Sequence, residues 1–368
     1  MTLVANEVKA YIKRFCYLDS ETKYDTAVLW VFHTHVRNSN DKLAFAETPR
    51  LAILSDMPAS GKTRLLELIE SLSFNGQRVL DPSPAGMFCA LEEDNATIGL
   101  DEIDLFFGRN GKQSVRTIIN AGYRVGSFVR HANAKHDTFG PMVMAGMGQN
   151  FQTNQNLAAT KSRSIIIRMD RRPDNVTIEP YRALQHRPYA HQLRDVLSDW
   201  GTKYANELAM AWPDMPEGVN DRDADIWTPL LACAEYIGSE WVDKANIACR
   251  SSVLSENVSD IKRLSPTQQL MEDMSALFYK GEDKISTMEL LERLKTKNDS
   301  WAKHSSIRAA AMELSNLLAP IELKPKKVRI GDRPVQGFVI SDIAMALPDF
   351  KVMELPDDDD DLADLPLG

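Results

Sequence analysis

The sequence predicts an α/β fold organised around a phosphate-binding loop, and three observations lead there. Leu51-Ala-Ile-Leu54 reads as an apolar strand, Ser55 to Thr63 as a loop closing on Gly61-Lys62-Thr63, and the run from Arg64 as an amphipathic helix. About forty residues further on, Ala96-Thr-Ile-Gly-Leu100 forms a second apolar strand that ends in Asp101-Glu102.

The loop's chemistry follows from its small residues. Without bulky side chains, consecutive backbone N–H groups converge on phosphate oxygens at a helix N-terminus whose dipole favours anions. Pro58, Ala59, Ser60, Gly61, Lys62, Thr63 and Arg64 are the candidates for holding ATP: Lys62 reaches for the β- and γ-phosphates, and the Thr63 hydroxyl serves Mg²⁺. Ser55 stands where the usual pattern has its first Gly, so the loop must begin without the residue that best tolerates positive φ. The plainer reading is a chance Gly-Lys-Thr at a helix start. Asp101 is expected in the Mg²⁺ shell and Glu102 beside the attacking water, where the plainer reading is a solvated acidic turn after a buried strand.

Composition sets outer bounds. The 368 residues, 43% hydrophobic and 26% charged, allow two or three domains of a soluble protein. No run reaches the length of a membrane span and the first residues lack a secretory layout, so a cytoplasmic protein is expected. Cys16, Cys89, Cys233 and Cys249 are scattered without a C-x-x-C pair, which predicts mostly buried thiols and no structural metal. Of the net charge of −9, Glu354, Asp357 to Asp361 and Asp364 supply seven negatives, and −2 remains without them. Basic patches must therefore be sought locally.

Taken in order, residues 1–48 read as a helical preface in which His33 and His35, two apart, face different sides of a helix and suit packing or surface roles better than metal binding. Residues 49–175 read as the nucleotide core. After Asp101-Glu102 come a helix at Ser114 to Tyr123 and a hairpin with Arg130, His131, Lys135 and His136 near its tip, either tracking a nucleic-acid backbone or forming an ordinary surface hairpin. Pro141 to Met147 is a strand after which Gln149 or Asn150 either senses the γ-phosphate or is a loop amide bonded to local backbone. Arg163, just before the strand Ile165 to Met169, is the leading candidate for an arginine finger reaching a neighbouring subunit's nucleotide, ahead of Arg171 and Arg172, with a phosphate- or carboxylate-pairing surface role as the alternative for all three.

Residues 176–262 read as a helical lid, with Arg222 near a helix start, either reaching the nucleotide or forming a surface ion pair. Residues 263–350 carry helix signals at Ser265-Pro266, at the capping box Ser286-Thr-Met-Glu289 and from Ile307 to Leu318, then a hairpin turning at Gly331-Asp332. Three helices and a wing bearing Lys326, Lys327 and Arg329 suggest a winged-helix-like module for DNA or for protein interaction. Residues 351–368 form an acidic tail, disordered by composition. The tail is solubilising by default, with docking of a replication protein or folding back onto the wing as alternatives.

Seven stretches together resemble an uncharacterised P-loop ATPase domain family of actinobacterial phages, plasmids and mobile elements, often accompanied by primase-like domains. They are Ala27-Val-Leu-Trp-Val-Phe-His-Thr-His35, Ser60-Gly-Lys-Thr63, Gly99-Leu-Asp-Glu102, Ile119-Asn-Ala-Gly-Tyr-Arg124, Gly140-Pro-Met-Val-Met-Ala-Gly-Met-Gly148, Ser162-Arg-Ser-Ile165 and Asp221-Arg-Asp-Ala-Asp-Ile-Trp-Thr-Pro-Leu230. The likeness runs from about residue 5 to 345 and implies an AAA+-like ATPase acting in mobile-element DNA replication. Ser162 departs from the acid usual before the residue matching Arg163. The function expected from this is a hexamer-type ring that hydrolyses ATP with Mg²⁺ and acts on DNA, single-stranded DNA first; the alternative is a nucleotide-switched helicase loader or remodeller that does not itself unwind DNA.

Overall fold

The computed structural model describes residues 1–104, 112–131, 134–148, 151, 157–262, 270–271, 273–274, 277–279, 281–297, 301, 306–321, 323–331, 333–346 and 352–353. The chain divides into two compact units, Met1–Glu256 and Asn257–Gly368.

The first unit opens with helices α1 (Thr2–Phe15) and α2 (Glu21–Thr34). α2 begins where the Ser20 hydroxyl accepts a hydrogen bond from the Lys23 amide at 3.4 Å. Every residue from Tyr24 to Thr34 is buried, the pattern of a helix enclosed on all sides. Next come β1 (Arg50–Leu54), α3 (Lys62–Leu72), β2 (Gly76–Val79) and α4 (Pro84–Phe88), which runs on as one π-helical turn, Cys89–Glu93. β3 (Thr97–Leu100), α5 (Gln113–Ala121), the hairpin β4 (Phe128–His131) and β5 (Ala134–Asp137), β6 (Met142–Gly146), α6 (Ala158–Lys161) and β7 (Ser164–Arg168) follow. Helices α7 (Ala183–Lys203), α8 (Ala205–Ala209), α9 (Asp221–Ile237) and α10 (Ser239–Lys262) complete the series.

Five strands form a parallel sheet in the order β2-β3-β6-β1-β7. β1 lies between β6 and β7, with Leu54 level with Gly146 on one side and Arg168 on the other. The period of two along each strand sorts side chains onto two faces. Leu51, Ile53, Val143, Ala145, Ile165 and Ile167 join one core cluster. Ala52, Leu54, Ile98, Leu100, Met142 and Met144 join the other, together with Met87, Ile118 and Ile119 from α4 and α5. Helices cover both faces, giving three layers.

The first cluster reaches well beyond the sheet: Phe32 of α2, Leu65 of α3, Trp200 of α7 and Trp227 of α9 all belong to it. The segments expected as preface, nucleotide core and lid thus share one hydrophobic core. Phe32 and Trp200 meet edge to face with centroids 5.1 Å apart. A Cβ at Gly201 would lie 2.0 Å from the His35 carbonyl oxygen, so α7 approaches α2 only through glycine.

Of the packing and surface roles open to His33 and His35, both take packing. His33 is fully buried between the Trp30 carbonyl and the Thr48 hydroxyl, 2.9 Å from the latter. His35 meets the Leu72 carbonyl at 2.8 Å and the Ser198 hydroxyl at 3.0 Å. Burial lowers both pKa values to about 3.

In the second unit, β8 (Phe278–Tyr279), β9 (Lys284–Ser286), α11 (Thr287–Lys297), α12 (Ile307–Leu318), β10 (Lys326–Ile330), β11 (Arg333–Val339), α13 (Ile340–Ala346) and β12 (Val352–Met353) follow in order. β10, β11 and β9 form an antiparallel sheet, and β12 pairs with β8. The Ser286 hydroxyl accepts from the Glu289 amide at 3.1 Å, and Ser306 caps α12 in the same way at 3.2 Å. Leu290, Leu294, Leu314, Leu318 and Phe338 form this unit's core. The helix expected at Ser265-Pro266 lies outside the described residues, as does the acidic tail from residue 354.

The two histidines give stability a pH dependence. Unfolding frees rings that take up protons below about pH 6.5, whereas the folded rings stay neutral down to about pH 3. Stability is therefore full above pH 6.5 and falls as acid is added, by about 1.4 kcal/mol per pH unit for each ring. Urea unfolding between pH 7.5 and pH 5 should show this slope, and His35→Gln should remove roughly half of it.

Candidate functional site

Parallel strands bring their carboxyl ends to one edge of the sheet, where open α/β proteins bind ligands. β1 delivers the loop there. The Ser55 hydroxyl accepts from the Met57 amide at 3.2 Å, a turn closed by the side chain in place of a glycine. Left-handed backbone comes later, at Ala59 (φ 57°) and at Gly61 (φ 93°), which caps α3. Pro58, Ala59 and Thr63 are exposed. Ser60 is buried, and its hydroxyl has no hydrogen-bond partner. The Lys62 ammonium folds back over the loop and donates to the carbonyls of Ser55 and Met57, 3.4 Å from each. Arg64 is engaged elsewhere, paired with Glu67 and held 4.6 Å over the Tyr181 ring.

β3 ends two strands away from β1, about 10 Å at about 4.8 Å per strand. Asp101 is half-buried and accepts from the Glu102 amide at 3.0 Å. Glu102 is exposed and left-handed, with φ 52°. A non-glycine residue there stores strain that its surroundings must hold. Asp104 then accepts from the Met147 amide at 2.7 Å, tying the end of β3 to the end of β6. Asn150 lies outside the described residues.

Sequence reasoning missed Arg78. From β2 it donates to Glu70 at 2.8 Å and sets a guanidinium nitrogen 3.8 Å from Asp101. Burial raises the Glu70 pKa, against the opposing effect of Arg78. The loop helix and the acid-bearing strand are thus joined through a cation. Its signal in the sequence was a single Arg in a four-residue strand of half-buried positions. Among the described residues no group of three or more His, Cys, Asp or Glu side chains is arranged to hold a metal.

Arg50, Arg163 and Arg222 occupy the opposite edge. Arg50 pairs with Ser164 at the start of β1 and β7, and the Arg163 carbonyl accepts from the Arg50 amide at 2.9 Å. β1 spans about 13 Å between the edges, at about 3.3 Å per residue. Arg163 donates to the Ala159 carbonyl at 2.6 Å and lies 4.8 Å over the Tyr123 ring. Arg222 donates to the Ser162 hydroxyl at 2.9 Å. Ser162 directly precedes Arg163 in the chain, and both stand just before β7, at the edge opposite the loop.

In the hairpin, Arg130 and Lys135 are exposed and face each other across the strands, and His131 closes β4. His136 serves the hairpin's base instead of its tip. Its ring stacks on Phe88 at 4.2 Å and meets Glu92 at 2.9 Å. On β10, Val328 is buried between exposed neighbours. The strand period places Lys327 and Arg329 on one face and Lys326 on the other, where its ammonium lies 2.5 Å from Asp342.

Fold and site together define an α/β protein with a glycine-lysine-threonine loop at the carboxyl edge of a five-stranded parallel sheet. A family profile described as "Protein of unknown function (DUF3631)" matches residues 168–349, which begin after the loop and both acids. The chain is also similar to the "Uncharacterized 28.9 kDa protein in xis 5'region" of Saccharopolyspora erythraea, with 30% identity over 165 residues. That match covers 45% of this chain and 61% of the relative, so the chain spans about three-fifths of that protein's length. Among the described residues no helix is long and apolar enough to cross a membrane.

Two outcomes test these placements. Gly61→Ala should cost about 1–2 kcal/mol in urea unfolding, because the new Cβ forces a left-handed L-residue where the Met169 methyl already lies 3.4 Å away. If the wing contacts phosphate, Lys327→Ala and Arg329→Ala should each reduce the slope of log affinity against log salt for single-stranded DNA by roughly 0.7. Lys326→Ala should change it less, since Asp342 already matches that charge.

Proposed function

We propose that this chain is an ATP-hydrolysing, ring-forming P-loop ATPase of AAA+-like architecture that acts on DNA during replication of a phage or other mobile element. One observation carries the reading. The loop of Ser55 to Thr63 and the acids Asp101 and Glu102 emerge at the same edge of one parallel sheet, with the end of β6 between them. The name of the Saccharopolyspora relative, which places it in the 5' region of xis, supports the genetic setting. The antiparallel sheet β10-β11-β9 with α11 and α12 supports a winged-helix-like module.

In this reading the loop amides and the unpartnered Ser60 hydroxyl receive phosphate oxygens. Lys62 exchanges its two carbonyl contacts for the β- and γ-phosphates. Thr63 and Asp101 would hold Mg²⁺, a donor set that fits an ion bound by few protein groups and completed by substrate phosphates. When bound, the ion neutralises charge on the phosphoryl oxygens. Glu102, exposed beside Asp101, orients the attacking water and accepts its proton. Arg163 faces a neighbouring subunit's nucleotide, and Arg130, His131 and Lys135 present the hairpin to DNA.

Strand separation on a forked duplex tests the proposal. The protein should unwind it only with ATP. Lys62→Ala should abolish nucleotide binding, and Glu102→Gln should retain binding while lowering hydrolysis by roughly 100-fold or more. Hydrolysis without unwinding would defeat the motor reading, and absence of nucleotide binding would defeat the ATPase reading altogether.

A further inference from the structure

Among the described residues, β10 is an edge strand, bonded to β11 on one side only. Lys324, just before it, and Lys326, Lys327 and Arg329 along it are all exposed. The ion pairs described in the second unit join Arg293 to Glu282 and Glu289, Lys295 to Glu292 and Lys326 to Asp342. Among the described residues, Lys324, Lys327 and Arg329 therefore face no carboxylate, and neither does Arg333 at the start of β11. Beside this strand lies a cleft of about 500 Å³, between the approach to β10 and the end of α13. Ile321, Leu323, Met345 and Ala346 give it apolar surface, and Lys324 and Lys326 give it cations. Met345 is 81% exposed. The surface thus combines an open cationic edge with an uncovered apolar hollow.

A nucleic-acid backbone answers the cations and leaves the hollow unfilled. The chain's own residues 354–368 answer both, because Glu354, Asp357 to Asp361 and Asp364 carry seven negative charges and Leu362, Leu365 and Leu367 supply apolar groups. Successive residues of an extended segment point to opposite sides. β10 presents Lys327 and Arg329 on one side and Lys326 on the other, so consecutive aspartates laid along its open edge offer carboxylates to both. Reach is sufficient. Ala346 lines the cleft and Met353 follows seven residues later, within about 25 Å of it at no more than about 3.6 Å per residue. From Met353 to Leu362 an extended chain covers about 32 Å. A segment tethered this closely acts at an effective concentration on the order of millimolar, so weak contacts are enough to hold it.

We infer that residues 357–367 dock within their own chain on the edge of β10 and the cleft beside it, the aspartates against Lys324, Lys327 and Arg329 and the leucines in the cleft, and that nucleic acid must displace them to reach the wing. Exposed ion pairs alone hold little. The leucines therefore decide the site, since removing their surface from water adds a contribution that salt does not screen. The docking is independent of the ATPase reading. Only the displacement rests on the reading that the protein acts on DNA.

Two variants of the full chain test this: deletion of residues 354–368, and Leu362→Ser, Leu365→Ser and Leu367→Ser together, which leaves every charge in place. In the wild type, a zero-length carbodiimide should join an aspartate among residues 357–364 to Lys324, Lys326 or Lys327 within one chain, and the triple variant should lose that product. With fluorescent single-stranded DNA at low salt, the deletion should raise affinity about tenfold or more. It should also steepen the slope of log affinity against log salt by about 2, at roughly 0.7 for each of Lys324, Lys327 and Arg329 set free. The triple variant should show at least roughly half of the logarithmic gain, because long-range repulsion by the aspartates is unchanged in it. Crosslinks only to lysines elsewhere, crosslinks only between chains, or none at all would overturn the docking. A triple variant that binds DNA like the wild type while the deletion binds more tightly would overturn it too, leaving general charge repulsion as the cause. The expected crosslinks with an affinity that the deletion leaves unchanged would overturn the displacement of nucleic acid. If neither the wild type nor the deletion binds DNA, the DNA-acting reading and the displacement fail together, and the crosslinks alone decide the docking.

Discussion

β1 is hydrogen-bonded to parallel strands on both sides and covered by helices on both faces. All five of its residues are buried, Arg50 included, whose guanidinium donates to the carbonyls of Ile119 and Gly140 at 3.0 and 2.6 Å. A strand enclosed in this way leaves polar chemistry nowhere to go except its two ends. Desolvation at the amino end is strong enough to lower the Arg50 pKa to about 9. The carboxyl end opens instead into a loop with exposed backbone.

The two edges of the sheet are consequently built differently. Ser55, Ala59, Gly61 and Glu102 shape one edge through a side-chain turn and three left-handed residues. Strain of this kind persists only where its surroundings are rigid. Here the surroundings are the β1, β3 and β6 ends, cross-tied by Arg78 and Asp104. The other edge collects Arg50, Arg163 and Arg222. The separation comes from strand direction alone, since every strand of this sheet runs the same way.

Local signals in the sequence carried much of this. β1, the loop and α3 follow from an apolar run meeting Gly-Lys-Thr. α12 spans Ile307–Leu318 as its periodicity predicts, and α11 starts at the Ser286 cap. What was not legible depends on packing between distant segments. β2 has no fully buried residue, so no apolar alternation betrays it, and Arg78 went unnoticed with it. The place of Arg222 turns on a bond to Ser162, sixty residues away in the chain. Period and charge on α9 point to a helix start, and they say nothing about which edge of the sheet that start meets. His136 was grouped with the hairpin tip because spacing cannot reveal Phe88 stacked on its ring.

The single core of the first unit bears on what the partial likenesses mean. The stretch 168–349 begins at the last residue of β7 and keeps α7 and α9 while leaving out α1, α2 and α3. Trp200 would lose Phe32, and Leu197, Leu230 and Trp227 would lose the cluster that buries them. A fragment cut at that border would expose a broad greasy surface and favour clumping over folding. Helices α7 and α9 therefore depend for their burial on the amino-terminal helices that precede the sheet.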